Sequence, residues 1–264
     1  MAKPMNNLSG KEWLQLSFSV WRDLFKTAAE KADKHPASFP VALVERILKI
    51  YLKEPNSLVF DPFMGTGTTL VAARQQGHSG VGIDLNGDYC RIAKRRISDT
   101  ESLWDSQEIS SKVIKADSRK LRKYVDESSV DIVVTSPPYW DILNQKRTVD
   151  KRDISGYSSD AKDLGNVNDY EAFLEDLRSV FTEVYTVLKP NSRCISVVMD
   201  IRKKDRFYPL HQDQSRIMKE IGFELEEYVI WDRQRDYNNM KTLGFPWVFR
   251  FNRVHEFICV YWKR

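Results

Sequence analysis

The chain has 264 residues, a net charge of +4 and a sequence pI near 8.8. Hydrophobic residues make up 42% and charged residues 30%, which supports a sizeable core and excludes a disordered or collagen-like chain. The mild basicity admits a polyanionic partner without requiring one, no apolar run approaches membrane-spanning length, and MAKPMNNLSGKEW lacks the apolar region of a secretory signal, so an intracellular protein is expected.

In chain order, the first 34 residues stand outside any strand–helix alternation, and WLQLSFSVWRDLF (13–25) is expected to cover a pocket or an edge. The spacing of ALVERILKIYL (42–52) predicts a helix. SLVFDPF (57–63) reads as a strand, TLVAARQQG (69–77) as a helix stopped by Gly77, SGVGIDL (79–85) as a strand and YCRIAKRRI (89–97) as a helix. KVIKAD (112–117) and VDIVVTS (130–136) read as strands. Residues 170–190 form a long amphipathic helix stopped before Pro190, 193–201 a strand, 210–222 a helix, and 224–232 and 255–263 the last two strands. Alternating strands and helices predict an α/β, doubly wound, mostly parallel seven-stranded sheet, with ligands beyond the carboxyl ends of the strands. Two polar stretches, 140–168 and 232–254, break the alternation and are expected to be functional insertions.

Cys90, Cys194 and Cys259 are widely spaced, with no CxxC or Cys/His cluster. They predict reduced core thiols and no metal site.

The chemistry gathers at strand ends. Asp61-Pro62-Phe63-Met64-Gly65-Thr66-Gly67-Thr68-Thr69 follows the first predicted strand. Gly65 and Gly67 permit unusual dihedrals and close approach of a ligand, and the next helix points its amides at that ligand. No Lys precedes the Ser/Thr position, so this is not a triphosphate loop. Asp61, Asp84 and Asp117 end three successive strands. Singly, each reads as a cap or turn residue. Together they suit a nucleoside carrying positive charge: Asp84 for ribose hydroxyls, Asp117 for an adenine amino group, Asp61 for an ammonium. S-adenosylmethionine has that description. At the fourth strand end, VTSPPYW (134–140) places two prolines and two aromatic residues after a buried run. The prolines fix a rigid corner whose acceptors are preorganised.

DPFMGTGTT and TSPPYW, preceded by HPASFP (35–40), resemble the motifs of amino-group DNA methyltransferases. The resemblance covers residues from about 35 to 232 plus the final strand. It implies a Rossmann-like methyltransferase fold, a single domain over 1–264 with a cover segment at 1–34, and S-adenosyl-L-methionine as cofactor. Phe39, Pro40, Phe63, Thr68, Leu85 and Ser118 join Asp61, Gly65, Gly67, Asp84 and Asp117 as cofactor-binding candidates. Ser136, Pro137, Pro138 and Tyr139 become the catalytic candidates, with Ser136 an acceptor for the target amine and Tyr139 a stacking surface for a flipped base. His35 and His255 read as structural, and Asp200 as a secondary candidate. The SPPY form is more typical of cytosine N4 methylation, while adenine N6 enzymes more often carry DPPY or NPPY. No cysteine follows a proline, so the covalent route to ring carbons lacks its nucleophile.

DNA is the implied partner, with RNA as the alternative, in a cytoplasmic, nucleoid-associated setting. Trp140, Lys146, Arg147, Arg202, Lys203, Lys204, Arg233, Arg235, Asn238 and Asn239 are the nucleic-acid candidates, against a lid or core position for Trp140, a solvated loop at 202–207 and a self-packed hairpin extension at 232–254. Large separate recognition regions are common in the family and missing here. A reader this small implies a short target, a structured RNA, a homodimer, or a companion restriction or specificity subunit. A nucleic-acid-binding subunit that leaves catalysis to a partner is the remaining alternative.

Overall fold

The computed structural model describes residues 4–32, 39–100, 109–141, 163–236 and 242–264. Helices α1 (Gly10–Leu16) and α2 (Ala28–Ala32) flank strand β1 (Val20–Trp21), and α3 (Val41–Tyr51) follows. Then come β2 (Leu58–Asp61), α4 (Thr68–Gln75), β3 (Ser79–Asp84), α5 (Gly87–Ser98), β4 (Ser111–Lys115) and β5 (Val130–Thr135). The chain continues through α6 (Tyr170–Val187), β6 (Leu188–Val198), the hairpin β7 (Ile201–Lys203) and β8 (Arg206–Tyr208), α7 (Leu210–Ile221), β9 (Glu224–Asp232) and β10 (His255–Lys263).

The main sheet has the order β1-β9-β10-β6-β5-β2-β3-β4. Strands β2 to β6 pair in parallel and β10 runs antiparallel to both β6 and β9. This is the doubly wound architecture the alternation implies, with one strand more than the seven expected. The extra strand is β1, which pairs in parallel with the β9 edge through Val20↔Ile230 and Trp21↔Trp231. Trp21 and Leu24 are buried there, so this part of the N-terminal segment covers an edge.

Period-two alternation divides the core. Val59, Ile132 and Val134 face α3, whose Leu43, Val44, Ile47 and Leu48 recur on one helical face. Phe60 and Val133 point the other way, into a layer with Phe173, Leu177 and Phe181 of α6. Each such side chain contributes about 1.5–3 kcal/mol on full burial. The chain steps outward from β2 to β3 and β4, then returns to β5 on the other side of β2. That reversal opens a crevice at the carboxyl ends of β2 and β5.

Two boundaries differ from the sequence reading. Strand β6 starts directly after α6 and contains Pro190. The proline is tolerated because the β5 ladder jumps from Val130↔Leu188 to Ile132↔Arg193, leaving it outside the β5 pairing. Residues 202–207 belong to the β7–β8 hairpin instead of a loop.

Candidate active site

Asp61 is the knot of the site. Its carboxylate accepts from the Phe63 amide (2.9 Å), from Thr69 Oγ1 in α4 (2.7 Å) and from Thr135 Oγ1 at the end of β5 (2.6 Å). One side chain, 1% exposed, thereby ties two strand ends to the first turn of a helix. Burial pushes its carboxyl up to about 6, against the pull of those three hydrogen bonds.

The glycine turn hangs on the next strand. The Met64 amide donates to the Ile83 carbonyl (3.0 Å), and the Gly65 amide to Asp84 Oδ2 (2.9 Å). Asp84 Oδ1 accepts from the Asn86 amide (2.8 Å). Burial raises the Asp84 carboxyl to about 6, and the charges of Asp61 and Asp163 push the same way against the two amide bonds. Gly65 (φ 52°) and Gly67 (φ 82°) both use left-handed backbone, which glycine adopts without penalty. Gly67 caps α4 with no side-chain bond of its own. Arg96 of α5 reaches over to the Thr66 carbonyl (2.9 Å) and to the Thr66 and Thr68 hydroxyls (3.1 Å each).

Asp61, Phe63, Gly65, Thr68, Asp84, Leu85, Asp117, Ser118 and Phe39 line one cleft of about 840 Å³, counting its open mouth. Ser136 and Pro138 line the same cleft. Gly67 and Pro40 are not among the lining residues and sit at the α4 cap and the α3 N-cap. Pro137 and Tyr139 also lie outside the lining. Asp117 is more engaged than its sequence position suggests. Arg119 donates to both of its oxygens (2.9–3.2 Å); burial pushes its carboxyl up, but these bonds, the Arg119 amide and the charges of Arg119 and Lys120 together lower it. The Ser118 hydroxyl donates to the Pro62 carbonyl.

Sequence reasoning missed Asn86, Tyr89, Asp163 and Leu164, which also line the cleft. Tyr89 had a local signal, since Asn86 caps α5 by accepting from the Asp88 and Tyr89 amides and so fixes the first helical turn beside Asp84. Asp163 and Leu164 arrive from far along the chain and carry no local signal.

Tyr139 is anchored where an exposed stacking surface was expected. The side chain is buried, and its hydroxyl meets Ser136 Oγ (3.0 Å), Glu256 Oε2 (2.8 Å) and the Val197 carbonyl (3.3 Å). Trp140 requires a firmer correction. It is 3% exposed, donates to the Val167 carbonyl (2.8 Å) and packs edge-on to Tyr170 and Tyr208, so it is core instead of a nucleic-acid contact. Lys203 lies over its ring at 3.9 Å and pairs with Asp141, which also removes this lysine from the free cations. Arg233 pairs with Glu256 and Asp236 and covers Trp231 at 4.7 Å. Arg202 and Lys204 sit on the hairpin and Arg235 lies over Phe25 at 6.0 Å. Lys146, Arg147, Asn238, Asn239 and His35 lie outside the described residues. Asp200 accepts from His211 Nδ1 (2.6 Å) and is buried.

The donor set fits S-adenosylmethionine. Two buried carboxylates stand close enough for the charge of Asp61 to raise Asp84, and a cationic ligand relieves that repulsion. Apolar rings from Phe39, Phe63 and Tyr89 supply flat surface for a base, and Gly65 lets it approach the backbone. The two acids set a pH dependence. Their folded pKa values lie above the ordinary 3.8, so their share of stability is full below about pH 4 and is lost as pH rises through about 6. Cation binding needs the charged forms and runs the other way. Calorimetry is expected to show S-adenosylmethionine affinity flat above about pH 7 and falling on acidification through about 6, by up to about tenfold per pH unit for each acid that must be charged. Equal affinity at pH 5 and pH 8 would contradict this assignment.

A sheet of this order with a glycine turn after its second strand has the Rossmann-like methyltransferase fold. A family model described as DNA methylase matches residues 2–95 and 130–264, and the chain belongs to that family. Among curated relatives, the type II methyltransferase M.ScaI of Streptomyces caespitosus is 39% identical over 80 residues, 30% of this chain and 26% of the relative. The DNA adenine methyltransferase YhdJ of Escherichia coli K12 is 33% identical over 102 residues, 39% of this chain and 34% of the relative. The aligned stretches thus span about a quarter to a third of those relatives. Among solved structures, TrmN from Thermus thermophilus superposes with TM-score 0.54 at 15% identity, covering 87% of this chain and 50% of TrmN. A SAM-dependent methyltransferase from Methanosarcina mazei gives 0.52 at 14%, covering 82% and 96%. These two likenesses show the fold. Among the described residues, no helix is long and apolar enough to cross a membrane.

Proposed function

We propose that this protein methylates an exocyclic amino group of a base in DNA, cytosine N4 by preference, on a base swung out of the helix. The observation that carries this reading is the shared cleft: Ser136 and Pro138 open onto the same space as Asp61, Gly65 and Asp84. S-adenosylmethionine, when bound, supplies an electrophilic methyl group on a sulfonium. The chain supplies position. The lone pair of an exocyclic amine is delocalised into its ring, so the amine must be held with its hydrogens on acceptors and its lone pair toward the methyl group. Ser136 Oγ and the carbonyls of the diproline corner are such acceptors, fixed before the substrate arrives. Phe39 and Pro138 line the same space.

Attack on a ring carbon through sulfur finds no support in the thiols. All three cysteines are free and buried, and burial pushes Cys90 up to about 11 and Cys259 to about 12. The serine that heads the SPPY corner favours cytosine. A relative named as an adenine methyltransferase keeps adenine N6 as the second reading. Incubation with labelled S-adenosylmethionine and either DNA or ribosomal RNA, then nucleoside analysis, tests the proposal. N4-methylcytosine from DNA is expected. Label at N6 of adenine selects the second reading, and label confined to RNA or to ring C5 overturns both.

The substrate surface is assigned to the β7–β8 hairpin and the segment before β10. Arg202 and Arg253 both lie over the Phe207 ring, at 5.5 and 5.7 Å. Burial, and then the charge of Arg202, lower Arg253. A phosphate between two such cations relieves their repulsion. Beside them Trp247, Phe249 and Phe251 are at least 80% exposed, a concentration of rings suited to unstacked bases. Arg253→Ala is expected to weaken DNA binding and lower the salt slope by about 1. Trp247→Ala is expected to cost about 1–3 kcal/mol on single-stranded DNA with the slope unchanged. Fluorescence titration at several salt concentrations separates the two.

A further inference from the structure

Glu256 has no place in the sequence reading of the site, yet it is buried at 5% exposure on β10 with both oxygens engaged. Arg233 holds Oε1, and the Tyr139 hydroxyl lies 2.8 Å from Oε2. That hydroxyl contacts Glu256 Oε2, the Val197 carbonyl at 3.3 Å and Ser136 Oγ at 3.0 Å. A carboxylate and a carbonyl only accept. Tyr139 has a single hydrogen, and the short contact to the charged acceptor takes it. What Tyr139 offers Ser136 is therefore a lone pair. Ser136 must give its own hydrogen to Tyr139, and its remaining lone pairs turn toward the cleft that Ser136 lines.

We infer that Glu256 is a positioning residue: acting through Tyr139, it fixes Ser136 as a hydrogen-bond acceptor and so selects a base that presents an amino group over one that presents a carbonyl oxygen. The inference rests on the proposed amino-group methylation. Arg233 enforces the orientation, because a guanidinium only donates and holds Glu256 by one oxygen while the other faces Tyr139.

Glu256→Gln tests it. The amide oxygen is kept at Arg233, so the amide nitrogen faces Tyr139 and donates to it. The tyrosine hydrogen is then left with the long contact to Val197 or with Ser136, and in the second arrangement Ser136 presents a hydrogen to the incoming amine. The expected result is a fall in kcat of about tenfold, with the S-adenosylmethionine Kd and the KM for DNA within about twofold of wild type. Tyr139→Phe, which removes the link and lets the serine hydroxyl rotate, is expected to lose several-fold in kcat with the same unchanged affinities, and it decides the matter if Glu256→Gln does not fold. Wild-type kcat in both variants, or a kcat loss no larger than the loss in cofactor affinity, overturns the role of Glu256 while leaving the proposed function intact. A wild-type protein that methylates no amino group in DNA overturns the proposed function and this inference with it.

Discussion

Gly67→Ala is expected to destabilise the protein by about 2–5 kcal/mol and to abolish S-adenosylmethionine binding at concentrations that saturate the wild type. Two costs add at one position. The backbone there has φ 82°, a conformation that costs an L-residue about 1–2 kcal/mol. The new Cβ would also sit 2.8 Å from the Ala93 Cβ and 3.1 Å from its Cα, closer than carbon atoms tolerate. Neither atom is the end of a flexible side chain, so α4 and α5 must separate. Separation moves the α4 N-terminus and weakens the Arg96 bonds to Thr66 and Thr68. Thermal unfolding is expected to shift down by roughly 5–15 °C. A midpoint within 2 °C of wild type, or unchanged affinity by calorimetry, would show that the two helices do not need this contact.

Asp61→Ala is the second change with a large expected effect. It removes the acceptor for two hydroxyls and an amide, all inside a residue 1% exposed. Thr69 keeps a second acceptor in the Val134 carbonyl at 3.2 Å. Thr135 and the Phe63 amide each lose the bond that Asp61 accepts. The expected loss is about 3–5 kcal/mol, together with cofactor binding. Asp61→Asn separates the two roles. Its amide retains one oxygen acceptor and has no charge, so about half of the stability is expected to return while the attraction for a cationic ligand does not. Urea denaturation and calorimetry on the pair read the two effects independently. Recovery of full affinity in Asp61→Asn would remove the charge from the account.

The parts of this molecule legible in the sequence are those that a short stretch determines alone. Helical spacing in α3 and α6, the short apolar runs of β2 and β5, and the strand-end positions of Asp61, Asp84 and Ser136 all follow from neighbours a few residues away. The parts that were not legible depend on residues brought together from a distance. Trp140 follows the diproline corner like an exposed ring, and only the arrival of Tyr170 and Tyr208 makes its position core. Arg233 sits in a basic, aromatic stretch that reads as a nucleic-acid surface, yet the ladder sets Glu256 opposite Trp231, two residues away, and draws the guanidinium inward. Glu256 itself occurs in a strand whose pattern gives no sign that a carboxylate points inward, because the partner that stabilises it is 117 residues earlier.

The seating of β1 against β9 carries a consequence for how the polypeptide is made. The Ile230 amide bonds the Ser19 carbonyl at 2.7 Å, and Trp231 Nε1 bonds the Leu24 carbonyl across a separation of 207 residues. A ribosome adding about 5–20 residues per second leaves that early strand waiting roughly 10–40 s for its mate. Strand β1 therefore docks only after β9 has been made, and until it docks the β9 border offers unpaired amides and carbonyls to any other nascent chain.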